Sequence, residues 1–150
     1  MPLETQALVV FHLLIAALLS ALIGIDRERT KHPAGVRTHM LVGMGACLFT
    51  LLSIYAFPSS DTTRIAANIV VGIGFLGAGT IIKADHGGVK NLTTAASIWA
   101  TAAVGMAVGA GAWLLALAAV LIMWSILVIV QRIERAAENR AAQEDNGTPH

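Results

Sequence analysis

The chain has a single cysteine, a single tyrosine and four prolines among its 150 residues, and only 13% of its side chains are charged. Each shortage excludes something. Cys47 alone can form no internal disulfide, and no Cys/His cluster at zinc spacing accompanies it. Ten lysines and arginines against nine aspartates and glutamates leave a net charge of +1, too little for a basic field that would hold nucleic acid. Soluble domains carry about a quarter charged residues, so an ordinary soluble fold is also excluded. The start Met1-Pro2-Leu3-Glu4 offers no positive region, and no small-x-small cleavage site follows the first apolar run. That run is therefore expected to stay in the protein and not to be removed as a signal peptide.

What the chain does have is hydrophobicity: 56% of residues are apolar or aromatic, and mean hydropathy is +0.72. Residues 5–25, 40–60, 65–82 and 91–131 contain no Asp, Glu, Lys or Arg. A bilayer core needs about 20 helical residues at about 1.5 Å each. Three runs therefore fit one crossing apiece, and the last fits two, divided at Gly109-Ala110-Gly111-Ala112, where glycine weakens a helix. The expectation is an all-α polytopic bundle of about five transmembrane helices, near 7–25, 40–57, 65–82, 92–109 and 113–131. Residues 1–131 form the transmembrane domain. Residues 132–150 form a cytoplasmic helical tail that frays toward Asn146-Gly147-Thr148-Pro149.

The basic residues set the orientation. Nine of the ten fall in loops 26–39 and 83–91 and in the tail, while Arg64 stands alone in loop 58–64. Basic loops stay in the cytoplasm, so the N-terminus is expected outside and the C-terminus inside. Tyr55, Phe57 and Trp113 then fall at the outer interface, where aromatic belts form.

Gly72-Ile73-Gly74-Phe75-Leu76-Gly77 matches the dinucleotide-binding pattern, but no strand precedes it and no ribose-binding acid follows in a βαβ unit. Glycine for close helix packing is the better account, at Gly72, Gly74, Gly77 and Gly79. In the fourth span Thr93, Ser97, Thr101, Gly105 and Gly109 recur every fourth residue, a small-residue stripe ending in GxxxG. The stripe is expected to knit the bundle, and a homo-oligomer is its alternative use. His12 is the ionisable group well inside a span, expected to be a histidine bonded within the bundle and not a proton relay.

Polar chemistry collects at the cytoplasmic face. Asp26, Arg27, Glu28 and Arg29 end the first span, Arg37 opens the second and Thr94 opens the fourth; this is the candidate functional cluster. Solvated, snorkelling charge with local pairs such as Asp26–Arg29 accounts for the positives. It accounts less well for two acids at a boundary biased positive. Asp26 and Glu28 are weak candidates for a hard cation such as Mg²⁺, which takes one or two carboxylates plus water. Arg64 and Asn68 form a separate outer-half polar site, with Arg64 expected to pair with Asp61.

These motifs resemble those of a known family. Gly24-Ile25-Asp26-Arg27-Glu28-Arg29, then Pro33-Ala34-Gly35-Val36-Arg37-Thr38-His39, then Arg64-Ile65-Ala66-Ala67 running into Gly72 to Gly79, then Leu92-Thr93-Thr94-Ala95-Ala96 are similar in order and spacing to the MgtC/SapB family. The resemblance covers about residues 7–112, with Asn68, Val71 and Asn91 standing where glutamine, serine and glycine are common. It implies a bacterial inner-membrane protein tied to magnesium homeostasis. The family's best-known member supports growth in low magnesium and survival in macrophages, and it restrains the proton-translocating ATP synthase. The resemblance therefore implies a regulator with membrane partners, the ATP synthase among them. This chain looks like the membrane part without the cytosolic domain of many relatives. No cofactor is evident, and no nucleophile–base pair or carboxylate dyad points to an enzyme. The alternative is an ion transporter or channel lined by Asn68, Thr93, Thr94 and Ser97, which would need a polar midplane.

Overall fold

The computed structural model describes residues 1–57, 61–83 and 88–133. The expected tail beyond residue 133 lies outside these residues, as do Asp85 and His86 of the polar loop that follows the third span. Five helices follow one another: α1 (Leu3–Arg29), α2 (Val36–Tyr55), α3 (Thr62–Ala78), α4 (Leu92–Gly109) and α5 (Trp113–Ser125). A short π-helical segment, Ile126–Val130, carries α5 onward to residue 133. The α1, α2, α4 and extended α5 helices are long and apolar enough to cross a membrane, and α3 is a shorter apolar helix of 17 residues. The all-α bundle is thus what the charge-free runs predicted.

The helix ends depart from the expected spans for a local reason. At the end of α1, Lys31 N–H donates to Glu28 O at 3.0 Å and His32 N–H donates to Arg27 O at 2.9 Å. This is a Schellman closure, and it places Lys31 in the left-handed region at φ 57°. Hydrogen bonding therefore carries α1 through the charged Asp26–Arg29 stretch, and the loop expected over 26–39 shrinks to 30–35. The α4–α5 turn closes the same way, with Gly111 at φ 79° and Ala112 N–H donating to Ala107 O at 2.8 Å. The loop expected over 83–91 contains a minimal antiparallel pair, β1 (Ile82–Lys83) with β2 (Val89–Lys90). Asn91 (φ 68°) links it back to the turn that follows α3, its Nδ2 donating to Thr80 O at 3.1 Å. A left-handed backbone explains why glycine suits this position and why asparagine replaces it at small cost.

The α4 helix is the hub and packs on all four other helices. Val9, Ala16, Ile23, Cys47, Leu51, Val104, Val108, Ala116, Val120 and Leu127 form the core. Backbones meet where side chains vanish. A Cβ on Gly105 would overlap the Gly43 carbonyl, and a Cβ on Gly43 would overlap Ser20 Oγ. At this level α2 is thus clasped between α1 and α4. A Cβ on Gly109 would lie 2.9 Å from Cys47 O, and one on Gly24 would lie 2.6 Å from Val36 Cα. Some polar side chains inside the bundle bond back to their own helix, as lipid favours. Thr101 Oγ1 donates to Ser97 O at 2.7 Å, and Thr50 Oγ1 to Ala46 O at 2.8 Å.

The small-residue expectations divide. Ser97, Thr101, Gly105 and Gly109 are buried, but Thr93 is exposed, because at the start of α4 it is Thr94, one residue on, that turns into the bundle. On α3 only Gly77 is buried, against Ala95. Gly72 and Gly74 meet nothing within 4 Å, and Gly79 meets only its own helix end. The α3 helix rests on α2 and α4 along one side and leaves Val71 and Phe75 open, Phe75 being 86% exposed.

Candidate functional site

Helical geometry separates the boundary residues that the sequence placed together. Arg27 (2% exposed) and Thr94 (1% exposed) point into the bundle. Arg29 and Arg37 are exposed, and Asp26 is half-buried. Arg27 Nε and Nη2, Thr94 Oγ1 and Asp26 Oδ2 are buried without a hydrogen-bond partner. The expected Asp26–Arg29 pair does not form among the described residues.

Glu28 has a different job from the one expected of it. Gly35 begins α2 without a side chain that could cap it, and Glu28 Oε2 reaches over from α1 to accept the Val36 amide at 2.9 Å. A carboxylate at a helix N-terminus meets both the free amides and the positive end of the helix dipole. This explains one of the two acids at a positively biased boundary and gives Glu28 a structural partner. Among the described residues no three His, Cys, Asp or Glu side chains gather closely enough to hold a metal ion. At this end Glu28 is engaged at the Val36 amide and Asp26 is half-buried.

One buried pair escaped the sequence reading. His39, fully buried at the start of α2, donates from Nδ1 to Gly35 O at 3.0 Å, and its Nε2 lies 3.3 Å from Ser97 Oγ on α4. Ser97 Oγ donates to Thr94 O at 2.8 Å. The serine has one proton for two acceptors, the Thr94 carbonyl and the neutral Nε2, and bonds one at a time; the pair packs α2 against α4 and, sealed from solvent, lacks the access nucleophilic chemistry needs. The signal was present: His39 and Gly43 lie four apart on α2, opposite Ser97, Thr101 and Gly105 on α4.

Away from this end, His12 is buried, its Nδ1 donating to Leu8 O at 2.8 Å, with the Trp113 ring edge-on at 5.2 Å between centroids. Arg64 and Asn68 do not form one site. Asn68 faces an apolar cleft of about 470 Å³ between α2 and α3, whereas Arg64 borders a shallow one with Phe57 and Asp61. Asp61 caps α3, accepting from the Thr63 amide at 3.0 Å and from its hydroxyl, and these bonds hold its carboxyl below the usual value of 3.8. No ion pair joins Asp61 to Arg64 among the described residues; Asp61 Oδ1 serves the α3 cap instead.

A bundle with an apolar outer surface, a backbone-packed centre and its buried cation at one end defines a polytopic membrane protein. The chain belongs to the MgtC family, whose sequence profile matches residues 13–136. It is 41% identical over 140 residues to protein MgtC of Salmonella typhimurium (strain LT2), covering 93% of this chain and 56% of that one. It is 40% identical over 147 residues to protein SrpB of Synechococcus elongatus, covering 89% and 81%. YhiD of Escherichia coli (strain K12) is 43% identical over 110 residues, covering 68% and 51%. The chain spans about half the length of YhiD and of MgtC. No solved structure matches it.

Proposed function

We propose that this chain is a regulator in the bacterial inner membrane, acting in magnesium and ATP homeostasis by binding other membrane proteins, with no enzymatic step. Family membership supports the link to magnesium, as does the provisional description of YhiD as a magnesium transporter. The observation that carries the regulatory reading is the dry centre. Gly43 and Gly105 meet backbone to backbone there beside the Ser20 hydroxyl, and buried Leu51, Val104 and Val108 continue the contact as apolar packing. A transported cation needs polar or hydrated lining at that depth. The proton-translocating ATP synthase is the partner class that the family resemblance brings forward.

Transport is the second reading, favoured by one feature: the buried polar sequence Thr94, Ser97 and Thr101 with His39 runs part way into the bundle. Magnesium flux into liposomes holding the purified protein separates the two. The regulatory reading expects flux no greater than in empty liposomes, together with restored growth of a deletion strain in low magnesium. Protein-dependent flux would replace it with transport. In the same strain Asp26→Asn, which keeps shape and removes one charge, is expected to abolish growth support at normal abundance. Full complementation by that variant would remove Asp26 from the functional surface.

A further inference from the structure

The basic end of the bundle holds a charge with no hydrogen-bonded partner in the described structure. Arg27 is 2% exposed, and two of its guanidinium nitrogens, Nε and Nη2, have no hydrogen-bond partner. Asp26 precedes it and offsets part of its charge, but projects about 100° around the helix and does not line the cavity that Arg27 faces, so the guanidinium donors stay unused. That cavity, of about 310 Å³, lies between the end of α1, the start of α4 and the far end of α5.

Its two walls differ. Thr93, His32 and Gln131 give one wall hydrogen-bonding groups around the arginine. Ile126, Leu127 and Val130 make the other apolar, with Ile126 and Val130 open to the lipid side at 54% and 44% exposure. All three belong to the π-helical segment, a geometry that is rare and concentrates at functional sites. A guanidinium kept from water with unused donors is costly, and the cost falls when an anion completes the site. The planar fork of arginine matches two oxygens of a tetrahedral oxyanion, and neutral donors beside it serve the remaining oxygens.

We propose that this cavity binds a phosphate group through Arg27, assisted by Thr93 and Gln131. The group is carried either by an anionic phospholipid whose chains lie along Ile126 and Val130, or by a soluble phosphate entering from the aqueous side. The site stands independently of the regulatory reading, since binding is measured without growth or flux.

The test uses the full chain in detergent, stripped of lipid, with the thermal unfolding midpoint followed during titration. Phosphatidylglycerol, inorganic phosphate at constant ionic strength, and phosphate-free diacylglycerol are the probes. A rise with phosphatidylglycerol alone assigns a lipid headgroup, and a rise with inorganic phosphate assigns a soluble ligand; both support the site. Arg27→Lys, which keeps the charge and loses the fork, is expected to weaken the effective probe about tenfold. Thr93→Val, at the exposed rim, is expected to weaken it about threefold with the ligand-free midpoint unchanged. No rise with either phosphate probe overturns the proposal. So does an equal rise with diacylglycerol, or undiminished binding by both variants.

Discussion

Glu28 caps a helix to which it does not belong: its carboxylate on α1 accepts the amide of Val36, the first residue of α2, at 2.9 Å. The same side chain lies over Gly35, where a Cβ would come within 2.8 Å of Oε2. Two helices are thus locked at one corner by an acid and a missing side chain. Glu28→Ala is expected to lower stability by about 1 kcal/mol, as lost caps do, and Glu28→Gln by less, because it keeps an acceptor oxygen. Unfolding midpoints of the two variants in detergent check the order.

Glycines on α3 and α4 should respond oppositely to the same methyl group. Gly105→Ala drives a Cβ into the Gly43 carbonyl, and overpacking of this kind costs about 1–3 kcal/mol. Gly72→Ala adds its Cβ to open space, so it is expected to stabilise α3 by about 0.5–1 kcal/mol through helix propensity alone. Thermal unfolding of both proteins would show this, and equal destabilisation would contradict the packing described.

Asp61 gives stability a pH dependence of known sign. Its bonds to Thr63 hold the folded carboxyl below its ordinary value, so the cap contributes fully above the unfolded pKa and is lost as pH falls through the folded one. Asp61→Asn keeps a capping oxygen without the charge. The parent is expected to be the more stable at pH 7, with the difference vanishing in acid below both values. A constant difference across that range would assign the stabilisation to something other than the cap.

Orientation rests on the basic residues alone. In a Cys47→Ala background, a cysteine at exposed Ala110 is expected to react with an impermeant thiol reagent in intact cells, and one at exposed Lys31 is not. Labelling at position 31 would invert the bundle.

Much of the fold was legible because the bilayer imposes a length. Charge-free runs gave five helices, and the α4 bounds and the Gly111 turn fell where composition placed them. Span ends were less legible, since a Schellman closure at Lys31 and a cap borrowed from Glu28 decide them, and neither is a property of hydrophobicity. The site suffered from the same gap. Nearness along the chain grouped Asp26 to Arg29, whereas about 100° per residue sends Arg27 inward, Glu28 toward α2 and Arg29 to the surface. His39 was overlooked because a histidine beside two polar residues at a span boundary looks solvated until its partner on α4 is known.

The length of α3 has a consequence for where the protein can reside. At about 1.5 Å per residue, its 17 residues span about 26 Å, short of the roughly 30 Å hydrocarbon layer its longer neighbours match. Among the described helices α2 and α4 pack against it, which leaves Val71 and Phe75 on its outward side. Hydrophobic mismatch of this kind carries an energy that rises with each ångström of membrane thickness. The protein is thereby coupled to acyl-chain length: thin bilayers relieve α3, and thick ones strain it against the rest of the bundle.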